Sequence, residues 1–524
     1  MTKTKDIEIN PEFARAVDLM DNTDKSLFIT GKAGTGKSTL LDHFCNHTKK
    51  KPVVLAPTGV AALNVKGQTI HSFFNFYVDV TPEKIQNKKT KPKNVKLYSK
   101  LKTIIIDEIS MVRADLLDCI DLFLRMYGPE SKRPFGGVQM IFVGDLYQLP
   151  PVVSGEEKGI FEGHYSTPYF FSAHIMNHLK LEIIELEKVY RQKDEEFVSL
   201  LNRIRNNSVQ MSDINNLNSR FGKDIKPKEG EFYINLTTTN KKADEINDYH
   251  LNTLKGEMYN SEAEVDGQFS KEYFPTSTDL QFKIGAQIML LNNDQQRRWV
   301  NGSIGVIESV KTDRNGNEYI NVRLHDSDRL VSVEPFEWEV YRFAFDNKQM
   351  QITSEPVGTF TQYPFRLAWA ITIHKSQGKT FERVIIDIGS GTFVAGQMYV
   401  ALSRCTSFEG IVLKTPIKAH NIHTDVRIYK FLTGYQYKKA AEGLNNEDKI
   451  SLIQKAIKEK FNLEIVYLKA NDTKSTRIIT PLTVGIEDYK GKKFPGMRAF
   501  CTENKEEKMF HVGRILKMKQ LQYC

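Results

Sequence analysis

The chain has 524 residues, enough for about three or four domains that each bury a core. Hydrophobic residues account for 40% and charged residues for 26%, which excludes wholesale disorder, and no apolar run approaches the ~20 residues that cross a bilayer. A net charge of +9 permits a polyanionic partner without requiring one. The first residues contain no apolar signal-like run and the five cysteines are scattered, so we expect a cytoplasmic protein with reduced cysteines and no membrane partner.

The first half of the chain alternates short apolar runs with helical patterns. Four runs predict buried parallel strands, at Ser26–Thr30, Val53–Ala56, Thr103–Ile106 and Gln139–Val143. Between the last two, apolar residues recur at helical spacing over residues 112–126. Strand–helix–strand repetition predicts a doubly wound α/β domain, which we place at residues 1–180.

This domain contains an expected basic insertion near residues 75–100. Eight lysines occur between Lys84 and Lys102, both ends included. Two interpretations remain open, a solvated loop or an arm that contacts the backbone of a nucleic acid.

A second α/β set follows at residues 181–302 and 364–435. Its strand candidates are Ile183–Leu186, Tyr233–Leu236, Arg383–Asp387 and Ile411–Leu413. Between its two parts, residues 303–363 change to short alternating runs separated by turn-forming residues, which predicts a small inserted β-barrel. Residues 443–524 begin with a helical pattern and continue in short strands, which predicts a second small barrel.

The octet Gly31–Ser38 has the spacing G-x-x-x-x-G-K-[ST] between a predicted strand and a predicted helix, the context of a phosphate-binding loop, or P-loop. Glycines allow backbone N–H groups to surround phosphates, and the helix N-terminus favours negative charge. Lys37 is expected to neutralise the β- and γ-phosphates and Ser38 to ligate Mg²⁺. The predicted nucleotide-binding residues are Gly31, Gly34, Thr35, Gly36, Lys37, Ser38 and Thr39.

Two further strand ends carry side chains that suit nucleotide hydrolysis. Asp107 would supply the second Mg²⁺ contact, and the adjacent Glu108 would polarise the attacking water. Gln148 follows the strand at 139–143 and can contact both the γ-phosphate and the water. Because the carboxyl ends of parallel strands share one sheet edge, we expect all three beside the P-loop. The alternative for the acid pair is capping of the following helix.

Phosphoryl transfer also requires positive charge at the γ-phosphate, and two arginines of the second α/β set are candidates. Arg191 lies in the segment VYRQ near the start of that set, and Arg404 ends the segment YVALSR. A lone arginine more often forms a surface ion pair. The surrounding motifs favour a catalytic role for both arginines here.

Three segments combine hydroxyl, histidine or lysine side chains in a way that suits phosphate and sugar contacts, at residues 57–62, 69–74 and 372–380. The aromatic residues of the second segment and those just after it are interpreted either as base-stacking platforms or as ordinary core; they are Phe73, Phe74, Phe76 and Tyr77. Two α/β domains with one nucleotide between them suit a motor that grips a strand as the cleft opens and closes.

The motifs occur in the order GKAGTGKST, DEISMV, GDLYQLPPV, LEKVYRQ, LTTTN, VNGSIG, LAWAITIHKSQGKTF and QMYVALSR, from residue 31 to residue 404. Together they closely resemble the superfamily-one DNA helicases of the petite-integration-frequency (Pif-one) family, over residues 5–430. The resemblance implies an ATP-driven helicase that moves 5′ to 3′ on single-stranded DNA. It also implies two RecA-like domains with ATP between them, DNA across both, and an inserted SH3-like barrel.

Carried over by motif, the resemblance implies an ATP site made of Lys37, Ser38, Asp107, Glu108, Gln148, Arg191, Gly378 and Arg404. It implies a DNA path lined by Thr58, Gly59, His71, Ser72, Thr238, Asn240, His374 and Lys375, to which Phe73 is added as a stacking candidate. Expected partners are single-stranded DNA, DNA junctions such as forks, and G-quadruplex DNA, with a monomer in solution.

The chain departs from the family at the adenine site. Such helicases usually read adenine with a glutamine upstream of the P-loop, and no glutamine occurs between Met1 and Lys37. Residues 10–13 stand at the expected place. We expect Phe13 or the backbone to hold the base instead.

The tail is similar to the WYL domain, a small SH3-like barrel of bacterial DNA-linked proteins. The similarity lies in a helix with Ile453, Ala456 and Ile457, and in the segments Leu463–Tyr467, Arg477–Leu482, Arg498–Cys501 and Phe510–Ile515. It implies a bacterial, nucleoid-associated protein and a module that binds a ligand or single-stranded DNA. Its candidates are Tyr467, Arg477, Arg498 and Arg514, the alternative being a barrel core with surface arginines.

Four functions are therefore compared. The preferred one is an ATP-dependent DNA helicase of the Pif-one type, and a RecD-like or phage-type helicase is the nearest alternative. A DNA-stimulated ATPase that binds or remodels DNA without processive unwinding belongs to another class. A P-loop kinase for a small molecule is the fourth, and Arg191, Arg404 and residues 372–380 argue against it.

Overall fold

The computed structural model describes residues 9–77, 79–88, 92, 94–153, 161, 163–192, 194–222, 232–314, 316–325, 327–346, 351–389, 391–392, 394–469, 474–489, 492–503 and 505–521. Two compact units divide the chain, the first made of Met1–Leu201 and Gln210–His423 and the second of Asn202–Val209 and Thr424–Cys524. No helix in these described ranges combines the length and the apolar composition of a membrane span. Within the same ranges, Cys45 is exposed, and Cys119, Cys405 and Cys501 are buried.

A six-stranded parallel sheet begins the first unit, in the order β3-β2-β4-β5-β1-β6. Its strands are β1 (Ser26–Gly31), β2 (Val53–Ala56), β3 (Gln68–Thr69), β4 (Thr103–Ile106), β5 (Gln139–Val143) and β6 (Leu181–Leu186). All residues of β1, β2, β4 and β5 are buried, as expected for strands covered on both faces. The four strands predicted in this half are confirmed.

One predicted strand belongs to a different sheet. Ile183–Leu186 was assigned to the second α/β set, but it lies in β6, which pairs with β1 in parallel over Ser26–Gly31. The boundary at residue 180 is therefore wrong, because the first sheet takes its edge strand from beyond that residue.

Among the described residues, the α-helices of this part of the chain are α1 (Pro11–Asn22), α2 (Lys37–His47), α3 (Gly59–Asn64), α4 (Ile70–Phe74), α5 (Pro82–Gln86), α6 (Val95–Ser99) and α7 (Ala114–Tyr127). The first begins after Asn10, whose side-chain oxygen accepts a hydrogen bond from the N–H of Phe13 at 2.8 Å. A core between α1, α2 and the sheet contains Phe13, Met20, Leu40, Phe44, Ile105 and Ile141. The predicted helix at residues 112–126 is α7.

The chain then passes through α8 (Glu195–Arg205), α9 (Met211–Asn218), β7 (Ile234–Thr237) and α10 (Asn240–Thr253) into an antiparallel insertion. Its strands are β8 (Tyr259–Glu262), β9 (Glu264–Gly267), β10 (Asp279–Phe282), β11 (Gln287–Leu290), β12 (Ile304–Thr312), β13 (Glu318–Leu324), β14 (Leu330–Val333), β15 (Phe336–Asp346), β16 (Gln351–Gln362) and β17 (Phe365–Leu367). They form sheets in the orders β14-β13-β12-β11-β17 and β15-β16-β9, with β8 and β10 paired separately.

This insertion is larger than the predicted 303–363. Strand β11 pairs with both β12 and β17, and β9 pairs with β16, so the strands from residue 259 to residue 367 form one β-rich region. A core of Leu280, Ile288, Trp299, Ile307, Val322 and Phe365 holds its larger sheet. The alternating sequence pattern predicted the central strands correctly, but the boundaries of the insertion depend on pairing between strands that are distant in the sequence.

After the insertion, β18 (Ala370–Thr372), β19 (Val384–Asp387), α11 (Gln397–Leu402) and β20 (Ile411–Leu413) complete a second parallel sheet in the order β18-β7-β19-β20. The strands predicted at 233–236, 383–387 and 411–413 are confirmed to within one residue at each end.

The second unit contains α12 (Val426–Gly443), α13 (Asn446–Glu459) and the strands β21 (Leu463–Leu468), β22 (Lys474–Tyr489), β23 (Lys492–Cys501), β24 (Glu506–His511) and β25 (Ile515–Gln520). The strands form an antiparallel sheet in the order β24-β23-β22-β21-β25. Ile453 and Ala456 of α13 pack with Leu463, Ile465, Ile479 and Met497 in its core.

Candidate functional site

The loop between β1 and α2 has the geometry of a P-loop. Gly34 and Gly36 have φ values of +80° and +87°, in the left-handed region that favours glycine. A Cβ at Gly34 would lie 2.5 Å from the Cβ of Arg191, so this position also lacks room for a side chain. The loop ends at the N-terminus of α2, where backbone N–H groups favour an anion.

Side chains of the P-loop already contact its backbone. The Lys37 ammonium donates to the carbonyl oxygens of Gly31 at 2.7 Å and Lys32 at 3.0 Å, and the Thr35 hydroxyl donates to Lys32 at 3.0 Å. Ser38 is exposed on the first turn of α2, as is Thr39. The positive charge and the hydroxyl expected at a triphosphate therefore lie at the mouth of this loop.

Asp107 and Glu108 follow β4 at the same edge of the sheet. Burial raises the pKa of Asp107, and the Lys37 ammonium opposes that rise. Burial and the Asp107 carboxylate raise the pKa of Glu108, against the opposing charges of Lys37 and Arg404. Glu108 also has a left-handed backbone, with φ of 49° and ψ of 43°, a strained conformation that is concentrated at functional sites.

Gln148 and Asp145 follow β5, next to β4 in the sheet. The Gln148 amide nitrogen donates to Asp145 at 3.5 Å, which leaves its amide oxygen as an acceptor. That oxygen accepts a hydrogen bond from Nε2 of Gln377 at 3.0 Å, and the same nitrogen donates to Oε2 of Glu108 at 3.0 Å. Gln377 thus joins the two predicted water-handling residues, although sequence reasoning named only its neighbours in 372–380.

Both arginines lie beside this site, Arg191 after β6 of the first sheet and Arg404 after α11. The Arg191 guanidinium donates to the carbonyls of Gly378 at 3.3 Å and Ser403 at 3.4 Å, and burial lowers its pKa. Arg404 is 1% exposed, and burial lowers its pKa to about 9. Its donors are directed at Val400, Ser403, Ser376 and Lys379 at 2.9–3.4 Å. In this conformation Arg404 therefore supports the turn around Gln377 and Gly378.

Tyr399 completes the junction, and it was missed as a site residue. Its hydroxyl oxygen accepts a hydrogen bond from the Ala33 N–H in the P-loop at 3.1 Å, and the residue is 4% exposed on α11. Tyr399 lies within the motif QMYVALSR, and this motif is the sequence signal that could have indicated it. This hydrogen bond joins the P-loop after β1 to α11 beside the second sheet.

The adenine hypothesis is wrong for Phe13. This residue is 6% exposed, lies in the core of α1 and α2, and meets the His43 ring edge-on at 5.5 Å. Tyr190 is an exposed aromatic residue beside the P-loop, because its N–H donates to the Gly34 carbonyl at 2.9 Å. Its side chain is 44% exposed, and the Lys188 ammonium lies 5.3 Å from the ring centre.

The expected DNA-lining residues follow neighbouring strands in pairs. Strands β2 and β3 are adjacent and parallel, and Thr58 with Gly59 follows the first while His71 with Ser72 follows the second. Strands β7 and β18 are likewise adjacent, and they lead to Thr238 with Asn240 and to His374 with Lys375. Asn240, His374 and Lys375 are exposed, so each sheet presents two such segments at one edge.

Several of these residues have local structural tasks. Thr58 caps α3 by accepting from the Ala61 N–H at 3.3 Å, and the Ser72 hydroxyl accepts from the Gln68 amide at 2.8 Å. Burial lowers the pKa of His71. Gly59 leaves no room for a side chain, because a Cβ there would collide with the Glu272 carbonyl.

The base-stacking role expected for Phe73 is wrong for this conformation. Phe73 is 4% exposed and meets Phe74, Tyr98 and Phe343 edge-on at 4.9–6.0 Å. Phe74 and Phe76 are buried in the same aromatic cluster, whereas Tyr77 is 71% exposed. The core interpretation therefore holds for three of the four rings. In the basic stretch, residues 89–91 and 93 lie outside the described ranges.

The insertion contacts the first sheet close to the DNA-lining candidates. The Tyr273 hydroxyl lies 2.8 Å from the Thr69 hydroxyl and 3.2 Å from its N–H, and Tyr273 is 3% exposed. The N–H of Phe343 donates to the Gln68 side chain at 3.4 Å. The first sheet therefore meets the insertion directly beside Gly59 and Ser72.

Comparison with known proteins agrees with this geometry. A family model described as PIF1-like helicase matches residues 10–215. The ATP-dependent DNA helicase Pif1 of Bdellovibrio bacteriovorus is 32% identical over 428 residues, covering 78% of this chain and 88% of its own. A crystal structure of Bacteroides sp. Pif1 with ADP-AlF4 is 36% identical with a TM-score of 0.75, covering 83% of this chain and 98% of its own.

The chain belongs to the Pif1-like helicase family. The mouse ATP-dependent DNA helicase PIF1 is 33% identical over 395 residues, 74% of this chain, but this Pif1-like chain spans only 57% of the mouse protein's length. A Bacteroides Pif1 structure with ADP-AlF3 and single-stranded DNA is 35% identical with a TM-score of 0.58, covering 82% of this chain and 98% of its own.

The tail candidates of this Pif1-like chain do not share one face of their sheet. Arg477 pairs with the buried Ile465 and donates to the Cys501 sulfur at 3.6 Å, which places it on the core side. Arg498 alternates with the buried Met497 and Ala499 and forms an ion pair with Glu487 at 3.2 Å.

The other two tail candidates lie near the end of β24. The Tyr467 hydroxyl accepts from the His511 N–H at 3.4 Å, and Arg514 lies in the short turn that follows. The four candidate side chains are thus divided between two faces and a turn.

Proposed function

We propose that this chain is an ATP-dependent DNA helicase that moves 5′ to 3′ on single-stranded DNA and unwinds duplexes, forks and G-quadruplexes as a monomer. The observation that carries the proposal is the turn at residues 374–379. It presents His374 and Lys375 to solvent, bonds to Glu108 and Gln148 through Gln377, and accepts from both arginines. A nucleotide site and a polyanion site that share one turn are the parts a DNA-dependent motor requires.

Hydrolysis follows from the residues gathered at the P-loop. The water oxygen attacks the γ-phosphorus, its proton passes to the Glu108 carboxylate, and the bond from the γ-phosphorus to the bridging oxygen breaks to give ADP and inorganic phosphate. Gln148 orients the water through its amide. Lys37 and Arg191 offset negative charge on the phosphates, a role that positioned cations fulfil best in a water-poor site.

Magnesium fits the donor set at this site. The Ser38 hydroxyl on the first turn of α2 and the Asp107 carboxylate after β4 are oxygen ligands, the kind that Mg²⁺ prefers. When bound, Mg²⁺ neutralises phosphate oxygens.

Two sheets that hold one nucleotide can convert hydrolysis into movement. Tyr399 on α11, beside the second sheet, contacts the P-loop of the first, and Arg191 after β6 donates to the Gly378 and Ser403 carbonyls, so loss of the γ-phosphate weakens what keeps the sheets together. Each sheet edge offers two segments for a phosphate backbone, such as Thr238 with Asn240 and His374 with Lys375. If the two sheet edges bind the DNA backbone alternately, the protein would advance along a single DNA strand.

Relatives support the choice of partner and substrate. Structures of Bacteroides Pif1 contain ADP-AlF4, or ADP-AlF3 with single-stranded DNA, and another Pif1 structure concerns the unwinding of forked duplex DNA. The polarity and the G-quadruplex substrate rest on the family resemblance alone. The test is unwinding of matched duplexes with a 5′ or a 3′ single-stranded tail, with ATP present. We expect unwinding from the 5′ tail only; ATP hydrolysis without unwinding from either would favour a DNA-stimulated ATPase instead.

We further propose that the second unit is a WYL-like module that binds single-stranded DNA or a small ligand through Arg477, with Tyr467 and Arg514 as further candidates. Support comes from its antiparallel sheet packed on α13 and from the position of Arg477 on the core side. Arg477→Ala should weaken single-stranded DNA binding by the full chain. Arg498→Ala, on the opposite face, is the matched control, and equal effects of both changes would contradict the assignment.

A further inference from the structure

We propose that Gln377 is a positioning residue that restrains Glu108 in the absence of DNA, and that a DNA backbone bound at His374 and Lys375 releases it. The inference rests on the proposed function and deepens it, because it names the residue through which DNA stimulates hydrolysis.

The first step is the hydrogen-bond network around Gln377. Its Nε2 carries two hydrogens and lies 3.0 Å from each of two acceptors, Oε2 of Glu108 and Oε1 of Gln148. The amide orientation is consistent along the whole network, because Gln148 in turn donates to Asp145 at 3.5 Å. Glu108 and Gln148 therefore both accept hydrogen bonds from Gln377, which lies in the turn after β18 of the second sheet.

The second step concerns what this bond does to Glu108. A general base needs a lone pair directed at the water, and a carboxylate oxygen that already accepts from Gln377 is held in one orientation. The left-handed backbone of Glu108 adds strain that its surroundings must maintain. In this conformation Gln377 supplies part of that restraint.

The third step is the stiffness of the turn that carries Gln377. The Ser376 N–H donates to Thr372 at 3.0 Å, the Gln377 N–H to His374 at 3.1 Å, and the Lys379 N–H to Ser376 at 3.0 Å. The Ser376 side chain is fully buried and donates to the Ile373 carbonyl at 2.7 Å. A ligand that shifts the backbone at His374 and Lys375 would therefore move Gln377 as well.

The fourth step is that the exposed end of this turn suits a phosphate. His374 and Lys375 are exposed, and burial and the nearby Arg366 guanidinium lower the pKa of Lys375. Burial lowers the pKa of His374, so an anion bound there is attracted by the Lys375 ammonium and accepts a hydrogen bond from the His374 ring. The same turn accepts hydrogen bonds from Arg191 at Gly378 and from Arg404 at Ser376, so its movement reaches the arginines as well.

The experiment compares ATP turnover of the full chain with Gln377→Met, which keeps the side-chain volume and removes both donors. Without DNA, we expect kcat to rise about fivefold or more, in line with the loss of a hydrogen bond to a charged group. With saturating single-stranded DNA, kcat should change less than about twofold and KM for ATP should stay unchanged, so the stimulation ratio falls.

Two further variants make the result specific. Gln362→Met removes a buried glutamine amide from the insertion, where it donates to Ser261 at 2.8 Å, and should leave the stimulation ratio unchanged. Gln377→Leu also lacks the donors and should behave as Gln377→Met, so the test remains available if thermal denaturation shows that one variant does not fold.

Two outcomes overturn the inference. An equal fall of kcat with and without DNA would make Gln377 a plain requirement for hydrolysis, and an unchanged stimulation ratio would remove it from the coupling. Wild-type turnover that is indifferent to DNA is a separate result, because it contradicts the proposed function before any variant is compared.

Discussion

Tyr399 reaches across 366 residues of sequence to the P-loop, where its hydroxyl oxygen accepts a hydrogen bond from the Ala33 N–H at 3.1 Å. The bond connects α11 beside the second sheet to the loop that would hold the phosphates. Because Ala33 is 6% exposed, its N–H has little access to water when that acceptor is lost.

Tyr399→Phe should therefore weaken the nucleotide site while keeping the ring in place. A neutral hydrogen bond contributes about 0.5–1.5 kcal/mol, so we expect KM for ATP to rise about two- to tenfold, measured by steady-state kinetics. Tyr437→Phe, which loses a hydroxyl bond to the Leu468 carbonyl at 3.2 Å in the second unit, is the control and should leave KM unchanged. An unaltered KM in Tyr399→Phe would show that the bond does not support the loop.

Lys37→Ala should abolish ATP hydrolysis. The side chain supplies the positive charge of the P-loop, and loss of one such electrostatic contact costs about a hundredfold or more in kcat. Lys50→Ala is a matched control, because the Lys50 ammonium bonds to Met20, Thr23 and Gln139 at 2.7–3.0 Å away from the P-loop. Lys50→Ala should have a lower melting temperature but retain ATP turnover. DNA-stimulated turnover in Lys37→Ala would contradict the assignment of Lys37 to the ATP site.

Substitutions at Tyr190 and Phe13 should have different effects, the first on ATP binding and the second on the stability of the core. Tyr190→Ala is expected to weaken ATP binding by up to about tenfold, because it removes the exposed ring beside Gly34. Phe13→Ala should instead lower the free energy of unfolding by about 3–5 kcal/mol, as for other buried phenylalanines. Calorimetric binding of an ATP analogue and chemical denaturation measure the two effects. A loss of nucleotide affinity in a folded Phe13→Ala protein would restore the original adenine hypothesis.

Hydrolysis should depend on pH through Glu108. Burial and the Asp107 carboxylate raise its pKa above the ordinary 4.5, with Asp145 adding to the rise and Lys37 and Arg404 opposing it. The carboxylate must be ionised to accept the proton, so kcat should fall as the pH drops through the raised pKa, well before an ordinary glutamate would protonate.

The check is the pH profile of kcat at saturating ATP and DNA, with thermal denaturation at each pH to confirm folding. Glu108→Gln should reduce kcat by about a hundredfold or more and remove the acidic limb. A profile in the wild type that stays flat down to pH 5 would exclude Glu108 as the base.

The sequence predicted the sheets well where burial alone determines a strand. Runs such as Thr103–Ile106 are apolar throughout because both faces are covered, and the structure reproduces that strand to the residue. The partner of a strand is a different matter. Nothing in Ile183–Leu186 itself says that it pairs with β1 and not with β7, so the domain boundary was misplaced.

The candidate site divides in the same way. Lys37 can be found from the spacing of the P-loop, and Asp107 and Glu108 from their position directly after an apolar strand. Both patterns are local and therefore visible in the sequence. Gln377 and Tyr399 act across more than 200 residues of chain, and their partners are visible only once the two sheets are placed together. Phe73 shows the converse error, because an aromatic side chain next to polar residues has the same sequence pattern whether it is buried or exposed.

The measurement that tests the central claim most directly is the ATP hydrolysis rate of the full chain with and without single-stranded DNA, across a DNA titration. The account predicts slow turnover alone and a saturable increase with DNA, because the turn at residues 374–379 joins the exposed His374 and Lys375 to Glu108 and Gln148. Turnover that is equally fast without DNA at every concentration would contradict it.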